Sequence, residues 1–126
     1  MILVVDDDKP ITELMHRILR DMGYRVETAY DGESAWEHLR DPDCRGMILD
    51  MRMPGINRAE LLLLMQAEGI EVPVIITTAF VDFEEDELKE FVNVRKLILK
   101  PFDPDEIVTA VREHFGAAAP RAVPAP

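Results

Sequence analysis

Ile2-Leu3-Val4-Val5 is an unbroken apolar run that stops at once in Asp6-Asp7-Asp8, and Met47-Ile48-Leu49 stops in the same way in Asp50. A strand with one face in water alternates apolar and polar residues. An unbroken run must be covered on both faces, as the strands of a parallel sheet are. Parallel neighbours need long crossovers, usually helices, so these two runs ask for a helix-covered parallel sheet.

The rest of the chain supplies the crossovers. Pro10 suits a first helical turn, and Ile11, Leu14, Met15, Ile18, Leu19 and Met22 recur at helical spacing up to a stop at Gly23. Arg25 to Tyr30 reads as a second strand, and Asp31 caps a helix with Ala35, Trp36 and Leu39 on one face. Gly46 to Asp50 is the third strand. Pro54-Gly55 makes a turn, and a Leu-rich helix runs from about Ala59 to Glu68, closed by Gly69. Pro73 to Thr78 is a fourth, β-branched strand; an acidic helix follows around Glu84 to Val92; and Lys96 to Leu99 is a fifth strand ending in Lys100-Pro101. The last helix starts near Pro104, buries Ile107, Val108, Val111 and Phe115, and stops at Gly116. Five alternations of strand and helix predict an α/β domain with a parallel sheet and helices on both faces. Residues 1–116 form that domain, and the Ala/Pro-rich stretch from Ala117 to Pro126 reads as a disordered tail or linker stub.

With 126 residues the chain is long enough for one substantial core. No apolar run approaches the roughly 20 residues that span a bilayer, so no membrane association is expected. Met1 runs straight into a strand with no basic region or cleavable signal, and the lone Cys44 suggests no oxidising compartment; both point to the cytoplasm. The formal charge of −11 argues against direct binding of nucleic acid and suits cations or basic protein partners.

Functional groups of an open parallel sheet gather where its strands end. Those ends carry Asp6 and Asp7, then Asp50, then Thr78, then Lys100. The second strand ends in Tyr30 and adds no such group, as an edge strand would. Crowded carboxylates repel one another unless a cation joins them, and an oxygen-only site with spare water positions suits Mg²⁺. One carboxylate can then attack phosphorus while the metal, a lysine and a hydroxyl hold the phosphoryl oxygens. Each feature alone has a plain explanation: an acidic turn, a β-forming threonine, a Lys-Pro turn. Their occurrence together, in order, at successive strand ends does not.

The stretches Ile2-Leu3-Val4-Val5-Asp6-Asp7-Asp8, Leu49-Asp50-Met51-Arg52-Met53-Pro54-Gly55, Val74-Ile75-Ile76-Thr77-Thr78-Ala79 and Lys100-Pro101-Phe102 resemble the receiver domains of bacterial two-component response regulators, over roughly residues 2 to 115. The resemblance implies a flavodoxin-like, doubly wound five-stranded sheet of order 2-1-3-4-5. It implies that Asp50 is the phosphoacceptor and that Asp6, Asp7, Asp50 and the backbone carbonyl of Arg52 bind Mg²⁺. Thr78 would bond the phosphoryl group as part of a switch, Lys100 would pair with it, and the peptide before Pro101 would be cis. The implied phosphodonor is a sensor histidine kinase or phosphotransfer protein, and the implied target is a downstream protein or a fused output domain. Catalysis would be self-directed, without turnover of an external substrate.

Two departures qualify the resemblance. Leu97 stands where the family commonly has Tyr or Phe, and Val92-Asn93-Val94-Arg95 lacks the usual small pair. The aromatic part of the switch is therefore in question, and with it the use of the face built by the fourth helix, fifth strand and last helix. A degenerate receiver that binds partners without phosphorylation is the alternative reading. A phosphohydrolase resembling the haloacid dehalogenase family would need an acid where Arg52 stands. Phe80, like Arg52, flanks the expected path of a hydrolytic water and is expected to shield an acyl phosphate. His16, His38 and His114 lack metal spacing, Trp36 and the methionines suit packing, and Cys44 lies in a polar stretch with nothing to activate it. Asp8 reads as part of a solvated turn, pointing away or capping the first helix, and the run Asp82 to Glu87 as an acidic helix start.

Overall fold

The structure, a computed structural model, describes residues 1–50, 58–79 and 90–116. Along the chain run β1 (Ile2–Val5), α1 (Lys9–Asp21), β2 (Val26–Ala29), α2 (Gly32–Leu39), β3 (Gly46–Asp50), α3 (Arg58–Ala67), β4 (Val74–Thr78), β5 (Val94–Leu99) and α4 (Pro104–Phe115). The five strands form one parallel sheet of order β2-β1-β3-β4-β5.

Pleating splits each unbroken strand between two cores, which is why these runs are apolar at every position. Leu3, Val5, Met47, Leu49, Val74 and Ile76 meet Ala35 and Leu39 of α2 and Leu61, Leu62 and Met65 of α3. Ile2, Val4, Ile48, Ile75 and Ile98 meet Met15 and Leu19 of α1 and Ile107, Ala110, Val111 and Phe115 of α4. Helices thus cover both faces, and a Leu- or Ile-sized side chain taken fully out of water stabilises by about 1.5–3 kcal/mol. Where the last strand-facing turn of α4 crosses β3, the contact leaves no room for a side chain. A Cβ on Gly46 would lie 2.5 Å from the Phe115 ring.

Local signals set the helix starts. Asp8 caps α1 by accepting from the Ile11 amide, Asp31 caps α2 by accepting from Ser34, and Asp103 and Glu106 form a reciprocal capping box on α4. Gly23 and Gly69 take positive φ just beyond α1 and α3, the left-handed turn that glycine adopts without strain.

Several boundaries differ from the sequence reading. β2 is shorter than Arg25 to Tyr30, and Tyr30 is exposed. β5 starts at Val94 rather than Lys96, because Val94 pairs with Val74 while Arg95 is accommodated by a register shift before Lys96 meets Ile75. Charged residues at an exposed sheet edge hide a strand from an apolar pattern. Glu90 to Val92 form a turn, not helix, while the remainder of that predicted helix and the acidic run Asp82 to Glu87 lie outside the described residues. Val108 is only half-buried and Ala110 takes the inner position; Leu14 of α1 is exposed. Cys44 packs against the α2/α3 core despite its polar neighbours, and burial pushes its thiol above the ordinary value. His16, His38, Trp36 and His114 are half-buried, Trp36 against the same core.

Candidate functional site

The chain leaves β1 toward β2 on one side and later returns to β3 on the other, so a crevice opens between the carboxyl ends of β1 and β3. Asp6 follows β1 and Asp50 ends β3, which puts both at the mouth of that crevice. Asp6, Asp7 and Asp50 each offer a carboxylate oxygen within 4.8 Å of the others. Asp6 and Asp50 are buried, whereas Asp7 is exposed at the rim. Asp6 is held from below: its Oδ1 accepts the backbone amide of Asp8 at 2.9 Å. The same Asp8 caps α1, so one short turn both starts the helix and fixes the first carboxylate.

Lys100 reaches this cluster from β5, two strands away. Its Nζ donates to Asp6 Oδ2 at 3.0 Å and to Asp50 Oδ1 at 3.1 Å, with 17% of the lysine side chain exposed against 4% and 8% of the two aspartates. Burial favours the neutral amine, but the hydrogen bond and charge of Asp6, then those of Asp50, outweigh it and hold the ammonium above the ordinary lysine value. The Lys100-Pro101 peptide bond is cis. Thr78, buried at the end of β4, accepts the Lys100 amide on its carbonyl at 2.6 Å, which ties the ends of β4 and β5 together beside the acids.

Of the residues singled out in the sequence, the fold brings Asp6, Asp7, Asp50 and Lys100 into one cluster and places Thr78 at the adjoining strand end. Leu97 is half-buried and packs against the α2/α3 core. Arg52 and Phe80 lie outside the described residues. Lys100 bridges Asp6 as well as Asp50, a contact outside the sequence reading. It joins residues 94 apart in sequence, and no local pattern signals it.

Three hard oxygen donors at one rim, with Asp7 the exposed member, form a set suited to a hard divalent cation. A buried carboxylate can serve as a nucleophile, and an ammonium within hydrogen-bond reach can hold anionic oxygens.

A sequence profile for the response regulator receiver domain matches residues 2–112. The chain belongs to this family. As a receiver domain of response regulators, it is a component of two-component signalling. Its sequence is 33% identical over 117 residues to the response regulator GtcR of Aneurinibacillus migulanus, covering 93% of this chain and 48% of that protein. The receiver spans about half the length of the curated relatives it matches. Its fold is similar to the receiver domain of response regulator 1452 of Francisella, with a TM-score of 0.81, 28% identity, and coverage of 90% of this chain and 94% of that one. It is also similar in fold to the receiver domain of the sensor histidine kinase PA1611 of Pseudomonas aeruginosa PAO1, with a TM-score of 0.80, 24% identity, and coverage of 92% and 97%. That structure has a magnesium ion coordinated in its active-site cleft.

Proposed function

We propose that Asp50 accepts a phosphoryl group in a Mg²⁺-dependent reaction and that the modified site switches a protein-binding surface. The observation that carries this reading is the convergence of three carboxylates with the Lys100 ammonium. Asp6, Asp7 and Asp50 would hold the ion, with the backbone carbonyl of Arg52 as a further ligand. The donor set fits Mg²⁺, which when bound neutralises charge on the phosphoryl oxygens.

The protein's own groups do the rest. An Asp50 oxygen attacks phosphorus, a P–O bond forms, and the P–N bond to a donor imidazole breaks, the nitrogen keeping the electron pair. Lys100, which bridges Asp6 and Asp50 beforehand, exchanges a carboxylate for a phosphoryl oxygen, and the Thr78 hydroxyl supplies another hydrogen bond. The added charge of about −1.5 to −2 and its acceptor oxygens draw Thr78 and Lys100 inward, which alters a protein-binding surface.

The phosphodonor in this reading is a sensor histidine kinase or phosphotransfer protein, and the target is a downstream protein or an output domain fused beyond Gly116. The domain is taken as residues 1–116, ending with α4, and residues 117–126 as tail or linker. The reaction is self-directed, on Asp50 alone, and its setting is the cytoplasm. Among the described residues no helix is long and apolar enough to cross a membrane.

Intact-mass analysis after incubation with Mg²⁺ and a small acyl-phosphate donor tests the reading. One added phosphoryl group is expected, lost in Asp50→Asn and in excess chelator. No gain with any donor or kinase would refute it and favour a binding-only receiver, the alternative to which Leu97 lends support.

A further inference from the structure

At the opposite end of the sheet from Asp50, the protein concentrates positive charge against its own average. Arg25 follows Tyr24 and precedes β2, while Arg45 before β3 and Arg112 in the last turn of α4 lie near the Tyr24 side chain, on a chain of formal charge −11. Among the described residues none of the three has an ion pair. Arg45 instead lies over the Tyr24 ring, 5.9 Å from its centroid, while the Tyr24 hydroxyl donates to the Gly116 carbonyl. A guanidinium laid on an aromatic ring loses rotamer freedom and keeps its fork of N–H donors in place.

Of these groups Tyr24, Arg25 and Arg45 border an open cleft of about 460 Å³, which Met1, Pro42 and Asp43 complete. The local field is felt by its neighbours: burial, then Arg25, lowers the Met1 ammonium below its ordinary value, with Arg45 acting in the same direction. Opposing these cations in the lining is the Asp43 carboxylate, and the Met1 ammonium donates to the Asp43 carbonyl at 2.7 Å.

We propose that this cleft is a docking site for an acidic polypeptide segment of a partner protein, recognised by Arg25 and Arg45. Planar guanidinium forks match carboxylates in paired hydrogen bonds. Asp43 decides between kinds of anion. A phosphodiester backbone brings only acceptors and is repelled there, whereas a peptide also brings amide N–H groups that can donate to Asp43. Screening over about 8 Å at physiological salt keeps the site's local charge, rather than the net −11, in control of a bound segment. The cleft adjoins Gly116, where the chain continues, so a segment docked there lies beside any following domain and away from the acid cluster.

Amide NMR shifts of the full chain titrated with a short acetylated Glu-Gly repeat peptide test this. The expected result is shifts at Tyr24, Arg25, Arg45, Gly46 and Gly116, none at Asp6 or Asp50, and weaker binding as salt rises. Arg25→Gln and Arg45→Gln should each loosen the peptide about tenfold, the loss expected for a charge-assisted hydrogen bond. Arg25 is exposed and outside the ring stack, so its variant stays informative if Arg45→Gln unfolds. Equal shifts from inorganic phosphate, unchanged affinity in Arg25→Gln, or shifts that arise from self-association without peptide would each overturn the proposal. Acyl-phosphate labelling of Asp50 is unaffected by either outcome, which separates this test from that of the phosphoacceptor reading.

Discussion

Replacing Lys100 with methionine keeps an apolar stem in β5's exit and deletes one ammonium. Nζ sits 3.0 Å from Asp6 and 3.1 Å from Asp50, and both aspartate side chains are less than a tenth exposed. Removing one partner of a buried ion pair costs about 3–5 kcal/mol, because the remaining charge stays out of water without that cation. The lysine is 17% exposed and Asp7 opens the cluster to solvent, so the lower end applies, about 3 kcal/mol at pH 7 in chelator. A domain of this size has roughly 5–15 kcal/mol to lose, so the variant still folds. Urea unfolding of both proteins measures the difference. Saturating Mg²⁺ should narrow it, since an ion at about a hundred times its Kd contributes about 2.7 kcal/mol and the variant's acids have no ammonium to compete. The pH dependence has a definite sign. Lys100 is raised in the folded state, so its contribution is complete below the unfolded lysine value near 10.4 and disappears as pH rises through the folded value. The wild-type curve therefore falls toward the variant's above that pH. A gap of under about 0.5 kcal/mol at pH 7 without metal, as for an exposed pair, would refute the reasoning.

Gly46→Ala drives a Cβ into the Phe115 ring, and overpacking of this kind costs about 1–3 kcal/mol in unfolding free energy. Adding Phe115→Leu should recover part of that loss, a non-additivity that a double-mutant cycle reads directly. Asn93 is buried and its Nδ2 donates to the carbonyls of Ile70 and Val72 at 2.9 and 3.0 Å. Asn93→Leu leaves both acceptors without that donor and should lower stability by about 2–3 kcal/mol in the same urea assay.

The Asn93 contact also shows where sequence reading stops. Val92-Asn93-Val94-Arg95 reads as a departure from a familiar small pair, yet in the fold Asn93, just ahead of the neighbouring β5, pins the entry of β4. Arg95 and Lys96 conceal the start of β5 because an edge strand can be charged. Cys44 lies among polar residues but points into the core, since the turn into β3, not its neighbours' polarity, sets its direction.

What the chain determines by itself is local. Unbroken apolar runs demand cover on both faces, aspartates cap three helices, and acids stand where β1 and β3 end. Each depends on residues a few positions apart, so the pattern carries it. Tertiary structure alone decides that Lys100 spans 94 and 50 positions to bind two acids, that Gly46 makes way for Phe115, and that Arg45 and Arg112 collect around Tyr24. Those contacts depend on the order and register of strands and on which helix crosses which, and no short-range spacing encodes them. The physical reason is separation along the chain: a charge pair strong in a buried site has no signature in sequence until the sheet brings its two ends together.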